Sequence, residues 1–324
     1  MPTTIANPWH SRPIDVHRWS DHPEAIRLAE TLWAEHFSDF RGEEAKPGPK
    51  PKTSFKNQLK VLLLDLYMAW LEDPELSIGV PMSASTWDTN SRYNALHLSK
   101  KIIDLVHRLE KVGFVDLAKG SYSGPYSPGN RNTRIRASKK LQELFAGTKL
   151  READIQHHLK QECIILKSND DEDGSTHLVE YADTPETRQM RERLRAYNDL
   201  LARTFIDIPA LEEPVIDQEK EGANRVLVGP SRKFVRRIFN RGSWGLNGRF
   251  YGGWWQQVGK DWRSQIFIND TPSVEVDFKG LHVAILSAEK GKPLGGDPYE
   301  LPVDTLPGTP ETLQRSLLKK LLLT

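Results

Sequence analysis

The chain has 324 residues, 38% of them hydrophobic and 27% charged, with a formal net charge of +1, a size and balance that predict a globular protein of about two domains. The opening stretch from Met1 to Arg18 is polar and broken by prolines, and no window approaches 18 uninterrupted apolar residues, so neither a secretion signal nor a membrane span is expected. The lone cysteine, Cys163, excludes an intramolecular disulfide framework and a cysteine-based zinc site, and makes a reducing, cytoplasmic setting the default.

Asp21-His22-Pro23-Glu24 opens a helix with a cap, a first-turn proline and an early acid, and Ile26, Ala29, Leu32, Trp33 and Phe37 continue it as an apolar stripe. Residues 45–53 read as a stiff basic linker. Strong helices are expected over Asn57–Leu71 and Leu98–Val112, the second stopped by Gly113. A strand at Phe114–Leu117, a Gly/Ser/Pro/Asn loop over 120–130, a returning strand at Asn132–Arg136 and a helix at Ser138–Phe145 follow. Residues 166–183 contain an acidic loop, and Thr184-Pro185-Glu186 caps a helix running to about Thr204. Residues 206–230 look extended, Ser231–Asn240 helical and basic. Strands are expected at 264–268 and 273–277 around the turn Asn269-Asp270-Thr271-Pro272. Helices at His282–Lys290 and after Thr309-Pro310-Glu311 complete the chain. The expected fold class is α+β. Its parts are a helical extension over 1–45, a winged-helix-like module over 55–150, an acidic helical linker over 151–230, and a palm-like module over 231–324.

The small net charge hides an asymmetry. Residues 1–150 hold 21 Lys+Arg against 17 Asp+Glu, residues 151–220 hold 9 against 17, and residues 221–324 hold 15 against 10, giving +4, −8 and +5. Basic patches of this kind favour polyanions whatever the total charge. Between Leu117 and Glu143 stand Lys119, Arg131, Arg134, Arg136, Lys139 and Lys140 with no acid. The linker adds Lys46, Lys50, Lys52, Lys56 and Lys60. Lys100, Lys101 and Arg108 lie on the candidate recognition helix, and Tyr122 and Tyr126 on the loop could pack against sugar or base. Clustered cations release counterions from phosphates and give salt-sensitive affinity. The alternative is a solvated hairpin, or a module used for protein contacts. The order helix, helix, strand, loop, strand resembles the winged-helix domains of plasmid replication initiators and transcription regulators, which implies duplex DNA as a partner.

Over 232–267, Arg232, Lys233, Arg236, Arg237, Arg241, Arg249, Lys260 and Arg263 interleave with Phe239, Trp244, Phe250, Tyr251, Trp254, Trp255, Trp262 and Phe267. Rings that stack on bases among cations that hold phosphates suit a single strand or a primer–template. The same pattern also arises from an aromatic core with arginines snorkelling at its edge. Val274-Glu275-Val276-Asp277-Phe278 then presents a carboxylate at a strand end, where a palm holds Mg²⁺ for two-metal phosphoryl transfer. Arg315 and Lys319, four apart, share a helical face that could grip a nucleoside triphosphate.

Taken together, Gly248-Arg249, Asp261-Trp262-Arg263, Asp277-Phe278-Lys279 and Arg315-x-x-x-Lys319 resemble the palm and fingers of family A DNA polymerases and their single-subunit RNA polymerase relatives. The resemblance implies Asp277 as a catalytic metal ligand, Arg315 on the outer phosphates, Lys319 near the α-phosphate, Arg249 on the primer–template, and Arg263 in the basic stretch before the first catalytic strand. The sequence departs from the pattern at Lys279, where that family has serine, at His282, in the place of its glutamate, and at Leu323, in the place of an aromatic. The second catalytic aspartate would fall beyond Thr324, so negligible turnover is expected of this chain. Two other readings stay open: a non-enzymatic replication initiator or regulator, and a metal-dependent nuclease using Glu275, Asp277 and Asp297.

Overall fold

The computed structural model describes residues 5–7, 9–40, 51–124, 129–169, 176–217, 226–276, 278, 280–300 and 305–323. Helices and small sheets mix along the chain, an α+β architecture, and the chain divides into a unit ending at Ser273 and a second spanning Val274–Thr324.

The first unit opens with β1 (Ser11–Pro13), β2 (Arg18–Trp19) and α1 (Pro23–His36). The α1 cap is His22, whose Nδ1 accepts from the Glu24 amide at 3.3 Å. Next come α2 (Phe55–Glu72), β3 (Ser77–Val80), α3 (Lys101–Lys111), β4 (Val115–Ala118), β5 (Thr133–Ala137) and α4 (Lys139–Ala146). Ser54 and Ser138 cap α2 and α4 through their hydroxyls. Helix α2 is buried nearly all round from Gln58 to Ala69, the mark of a central helix. Its buried polar side chains therefore need partners. Gln58 accepts from the Ser99 amide, Lys60 donates to the Ser20 carbonyl, and Asp65 receives Arg12. Helix α3 lays Ile102, Leu105, Val106 and Leu109 into the same core. One sheet runs β1-β3-β5-β4, with β1 parallel to β3 and the remaining pairs antiparallel.

The unit continues with β6 (Gln156–His157), β7 (Ile164–Leu166), α5 (Pro185–Arg203), β8 (Ile206–Asp207), β9 (Val215–Ile216), β10 (Val226–Leu227), β11 (Arg236–Phe239), β12 (Asn247–Tyr251), α6 (Lys260–Arg263), β13 (Phe267–Ile268) and β14 (Thr271–Pro272). Strand β11 lies parallel to β7 and antiparallel to β12. A helix over Ser231–Asn240 was expected; instead a turn at Pro230–Arg232 leads into β11. Val235 and Phe239 bury beside Cys163, Ile164 and Leu194, and pairing on both edges overrides the local helical preference of an arginine-rich run. Among the described residues of 206–217 and 226–230, Ile208, Ile216, Val226 and Val228 form a core around Trp254. The expected hairpin turn is present, with Asn269 and Asp270 at φ 47° and 63°, the pair of left-handed residues a tight hairpin needs. Its second strand is Thr271–Pro272 rather than 273–277, and Val274 and Val276 are exposed.

The second unit contains α7 (Leu281–Glu289) and α8 (Glu311–Leu323). Among the described residues no helix is long and apolar enough to cross a membrane.

Candidate nucleic-acid interface

Helix α3 and the β4–β5 hairpin flank a groove of about 420 Å³, lined by His107 from the helix and by Lys119, Tyr122, Arg131 and Asn132 from the hairpin. Tyr122 is 76% exposed; Tyr126 lies outside the described residues. Two hairpin arginines sit close together. Arg134 donates from Nε to Ser11 Oγ at 2.7 Å and from Nη1 to the Asn132 carbonyl at 2.8 Å. Its guanidinium lies across Gly79, where a Cβ would come within 2.7 Å of Nη1. Burial, then the charge of Arg131, push the Arg134 pKa down. Arg131 itself reaches toward the Trp9 ring, 5.6 Å from its centroid. Among the described residues neither arginine is paired with a carboxylate.

The third hairpin arginine is placed differently. Arg136 is buried, with Nη2 donating to Asp116 at 2.8 Å and Nη1 to Glu75, so its cation is spent inside the fold. Lys100 and Lys101 are exposed at the start of α3, where Lys101 pairs with Asp104 at 2.7 Å. Arg108 is turned to Asp39 at 2.8 Å and to the His36 carbonyl. Of the cations around the linker, Lys46 and Lys50 lie outside the described residues, and Lys56 pairs with Glu30. Lys60 is buried with Nζ 3.6 Å from the Trp19 ring centroid, and burial lowers its pKa.

Replacing Arg131 and Arg134 together with alanine is expected to weaken binding to all duplex sequences and to flatten the log–log salt slope by about one unit per lost phosphate contact. Arg136→Ala is expected instead to lower stability by about 3–5 kcal/mol, the cost of breaking a buried pair. A salt titration beside a urea melt of each variant separates the two effects.

A second concave surface gathers the aromatic residues. Met190, Arg193, Leu194 and Tyr197 share one face of α5. With Val235, Arg237, Phe250, Trp255 and Gln256 they line a groove of about 430 Å³. Tyr197 meets Phe250 edge-on at 6.2 Å, and Arg237 lies 5.6 Å from the Phe250 ring centroid while donating to the Gly248 carbonyl. The adjacent tryptophans part company here. Trp254 is 0% exposed in the core, whereas Trp255 is half-buried at the groove. Arg249 is exposed on β12, on the strand face opposite Phe250. Arg263 donates to the Val258 carbonyl at the end of α6. Gly248, the glycine of the Gly-Arg element, has a local reason: φ is +68°, and a Cβ would lie 2.8 Å from the Phe239 ring.

In the second unit Arg315 donates from Nε to Asp297 Oδ2 at 3.1 Å and lies 5.4 Å from the Tyr299 ring centroid. Lys319 is exposed. Asp277, the expected catalytic residue and Mg²⁺ ligand, lies outside the described residues, as does Lys279. Among the described residues no group of three or more His, Cys, Asp and Glu side chains is placed to hold a metal ion.

Sequence reasoning missed a third cluster, where the segment 12–18 meets the residues around β6 and β11. Asp65 on α2 is fully buried and accepts from Arg12 Nη1 at 3.0 Å and from the Asp15 amide at 2.8 Å. Arg12 and Arg232 both face Glu72. Asp15 receives Arg18 Nε at 3.4 Å and His157 Nε2 at 2.9 Å, and the His157 ring stacks on Phe234 with centroids 4.9 Å apart. Burial opposes charge on Asp15, but His157 and Arg18 outweigh it and hold the carboxyl well below its usual range. Burial also holds His157 below its ordinary pKa, against the pull of Asp15.

Both shifts have the same sign for stability. A depressed carboxyl stabilises the fold above its unfolded pKa and loses that contribution as pH falls through the folded value. A depressed histidine likewise stabilises the fold above its unfolded pKa near 6.5 and is lost on acidification. Melting temperature is therefore expected to fall as pH drops below about 6.5. His157→Gln, which removes the titrating ring, should flatten that fall, and an unchanged profile would remove His157 as its source. No family model, no curated protein and no solved structure matches this chain.

Proposed function

We propose that this is a nucleic-acid-binding protein whose N-terminal module takes duplex DNA between α3 and the β4–β5 hairpin, in the manner of a winged helix. One observation carries the reading. Arg131 stands in a groove that α3 also lines, Arg134 lies near enough for the two charges to repel, and no described carboxylate compensates either. Like charges held together lower each other's stability unless an anion joins them, and a DNA phosphate is an anion of the right kind. The order of elements supports the same reading: β5 pairs between β3 and β4, with α3 feeding directly into the hairpin. The experiment is the salt titration of the Arg131/Arg134 double variant. Affinity and slope equal to those of the parent protein would overturn the reading.

The aromatic groove between α5 and β12 extends the proposal to single strands. Exposed rings with arginines beside them hold bases of any sequence. Exposed Phe250 and Tyr197, half-buried Trp255, and Arg193 and Arg237 in one groove are what support this.

The polymerase-like reading of residues 232–324, in a phage- or plasmid-type replication protein, rests on the motif order together with the exposed Arg315/Lys319 face of α8. Under it Asp277 and Mg²⁺ would bind a nucleoside triphosphate with those two cations. Calorimetry with triphosphate and Mg²⁺ tests it: Asp277→Asn should abolish the metal dependence, and Arg315→Ala should weaken binding with or without metal.

A further inference from the structure

The cluster around Asp65 borders a cleft of about 530 Å³, walled by residues 12–18, Tyr93, the start of β6–β7, and the segment from Ser231 to Ile238. The size is that of a small-molecule site. Its charges balance almost completely. Arg12 and Arg232 are matched by Asp65 and Glu72, and Arg18 by Asp15. Glu162 is matched by Arg191 and Arg92. Arg236 remains. Among the described residues it meets no carboxylate. With the Gln161 amide oxygen turned toward it, Nε and Nη2 donate at 3.2 and 2.8 Å, and the guanidinium carbon lies 5.6 Å from the Phe234 ring centroid. A neutral amide and a ring face hold a cation in place without cancelling its charge.

The rest of the wall has a different chemistry. Ile14, Val16, Ile165 and Ile238 are apolar, and Phe234 is backed by His157, which fixes its ring plane. One uncompensated guanidinium beside an apolar, ring-bearing wall fits an anion that carries a flat, largely apolar body. An isolated phosphate would leave most of the cleft unfilled.

We propose that this cleft binds a single nucleotide, its phosphate on Arg236 and its base against the apolar wall and Phe234. The nucleotide is either a free nucleoside monophosphate or the phosphorylated terminal residue of a strand, and both present the same group. The site is separate from the α3–hairpin groove, so the inference stands whether or not that groove holds duplex DNA.

The test is calorimetry on the full chain with five probes: a nucleoside monophosphate, the matching nucleoside, inorganic phosphate, and a short oligonucleotide with and without a 5′-phosphate. Saturable binding of the monophosphate is expected, with the nucleoside and inorganic phosphate each much weaker. Arg236→Gln should weaken monophosphate binding about 10- to 100-fold, the size of a lost charge-assisted hydrogen bond. Its melting temperature should hold, because no carboxylate loses a partner. Arg236→Lys keeps the charge but not the fork, and should fall between the two. Tighter binding of the 5′-phosphorylated oligonucleotide than of the free monophosphate would assign the site to strand ends, and the reverse order to free nucleotide. Absent monophosphate binding, equal binding of inorganic phosphate, or binding untouched by Arg236→Gln in a folded protein would each overturn the proposal.

Discussion

Asp65→Ala is expected to destabilise the first unit by about 3–5 kcal/mol, the usual cost of removing one partner from a buried ion pair. The carboxylate is fully buried and is shared among three groups. Arg12 reaches it with Nη2 at 2.8 Å, Arg18 with Nε at 3.7 Å, and the Asp15 amide with a 2.8 Å hydrogen bond. Deleting it leaves two guanidinia out of water with Asp15 and Glu72 alone to balance them, and Glu72 is already shared with Arg232. Such groups cannot shed their charge, so they must drag water inward or release residues 12–18 from the core. The amide of Asp65→Asn keeps the shape and one acceptor, and its loss should be smaller. Urea denaturation checks both, with a shift of midpoint at constant m-value read as stability. A loss under about 1 kcal/mol, the range of an exposed pair, would mean that water already reaches the carboxylate.

That network also marks where sequence reading stops. Helices α1 to α4 are legible because their signals are local: Pro23 in the first turn, Ser54 and Ser138 at caps, Gly113 at a stop, and apolar residues at helical spacing. The hairpin is legible for the same reason. The cluster around Asp65 is assembled from positions 12, 15, 18, 65, 72, 157 and 232, and no spacing links them. Strand β11 fails locally too, because Phe-Val-Arg-Arg-Ile-Phe carries both helical and strand character, and its partner β7 lies some 70 residues earlier. Arg136 illustrates a finer limit. Alternation along β5 places Arg134 and Arg136 on one face, yet Arg136 finds Glu75 and Asp116 while Arg134 finds a hydroxyl and a carbonyl. Which arginine stays available to an anion depends on where α2 ends and how β4 pairs.

Trp254 and Trp255 give the sharpest contrast between neighbours, because only tertiary packing distinguishes them. Trp254 is 0% exposed among Ile208, Ile216, Val226, Val258 and Ile266. Trp254→Ala is expected to cost about 3–5 kcal/mol, the loss of a large buried ring plus the cavity left behind. Its indole nitrogen has no hydrogen-bond partner among the described residues, so Trp254→Phe gives up no hydrogen bond and should lose much less. Trp255 is half-buried with its ring at the groove, folded back over Gly253, where a Cβ would come within 2.4 Å of it. Trp255→Ala is expected to leave the melting temperature closer to that of the parent protein and to weaken single-strand binding by about 1–3 kcal/mol, the value of one stacked base. Gly253→Ala should act in the same direction, by pushing the ring out of place. Thermal melts and single-strand titrations on the same three variants, Trp254→Ala, Trp255→Ala and Gly253→Ala, separate core from surface. Unchanged single-strand affinity in a folded Trp255→Ala protein would show that the groove between α5 and β12 does not hold bases, and the arginines around it would then be explained by packing against Phe239 and Phe250 alone.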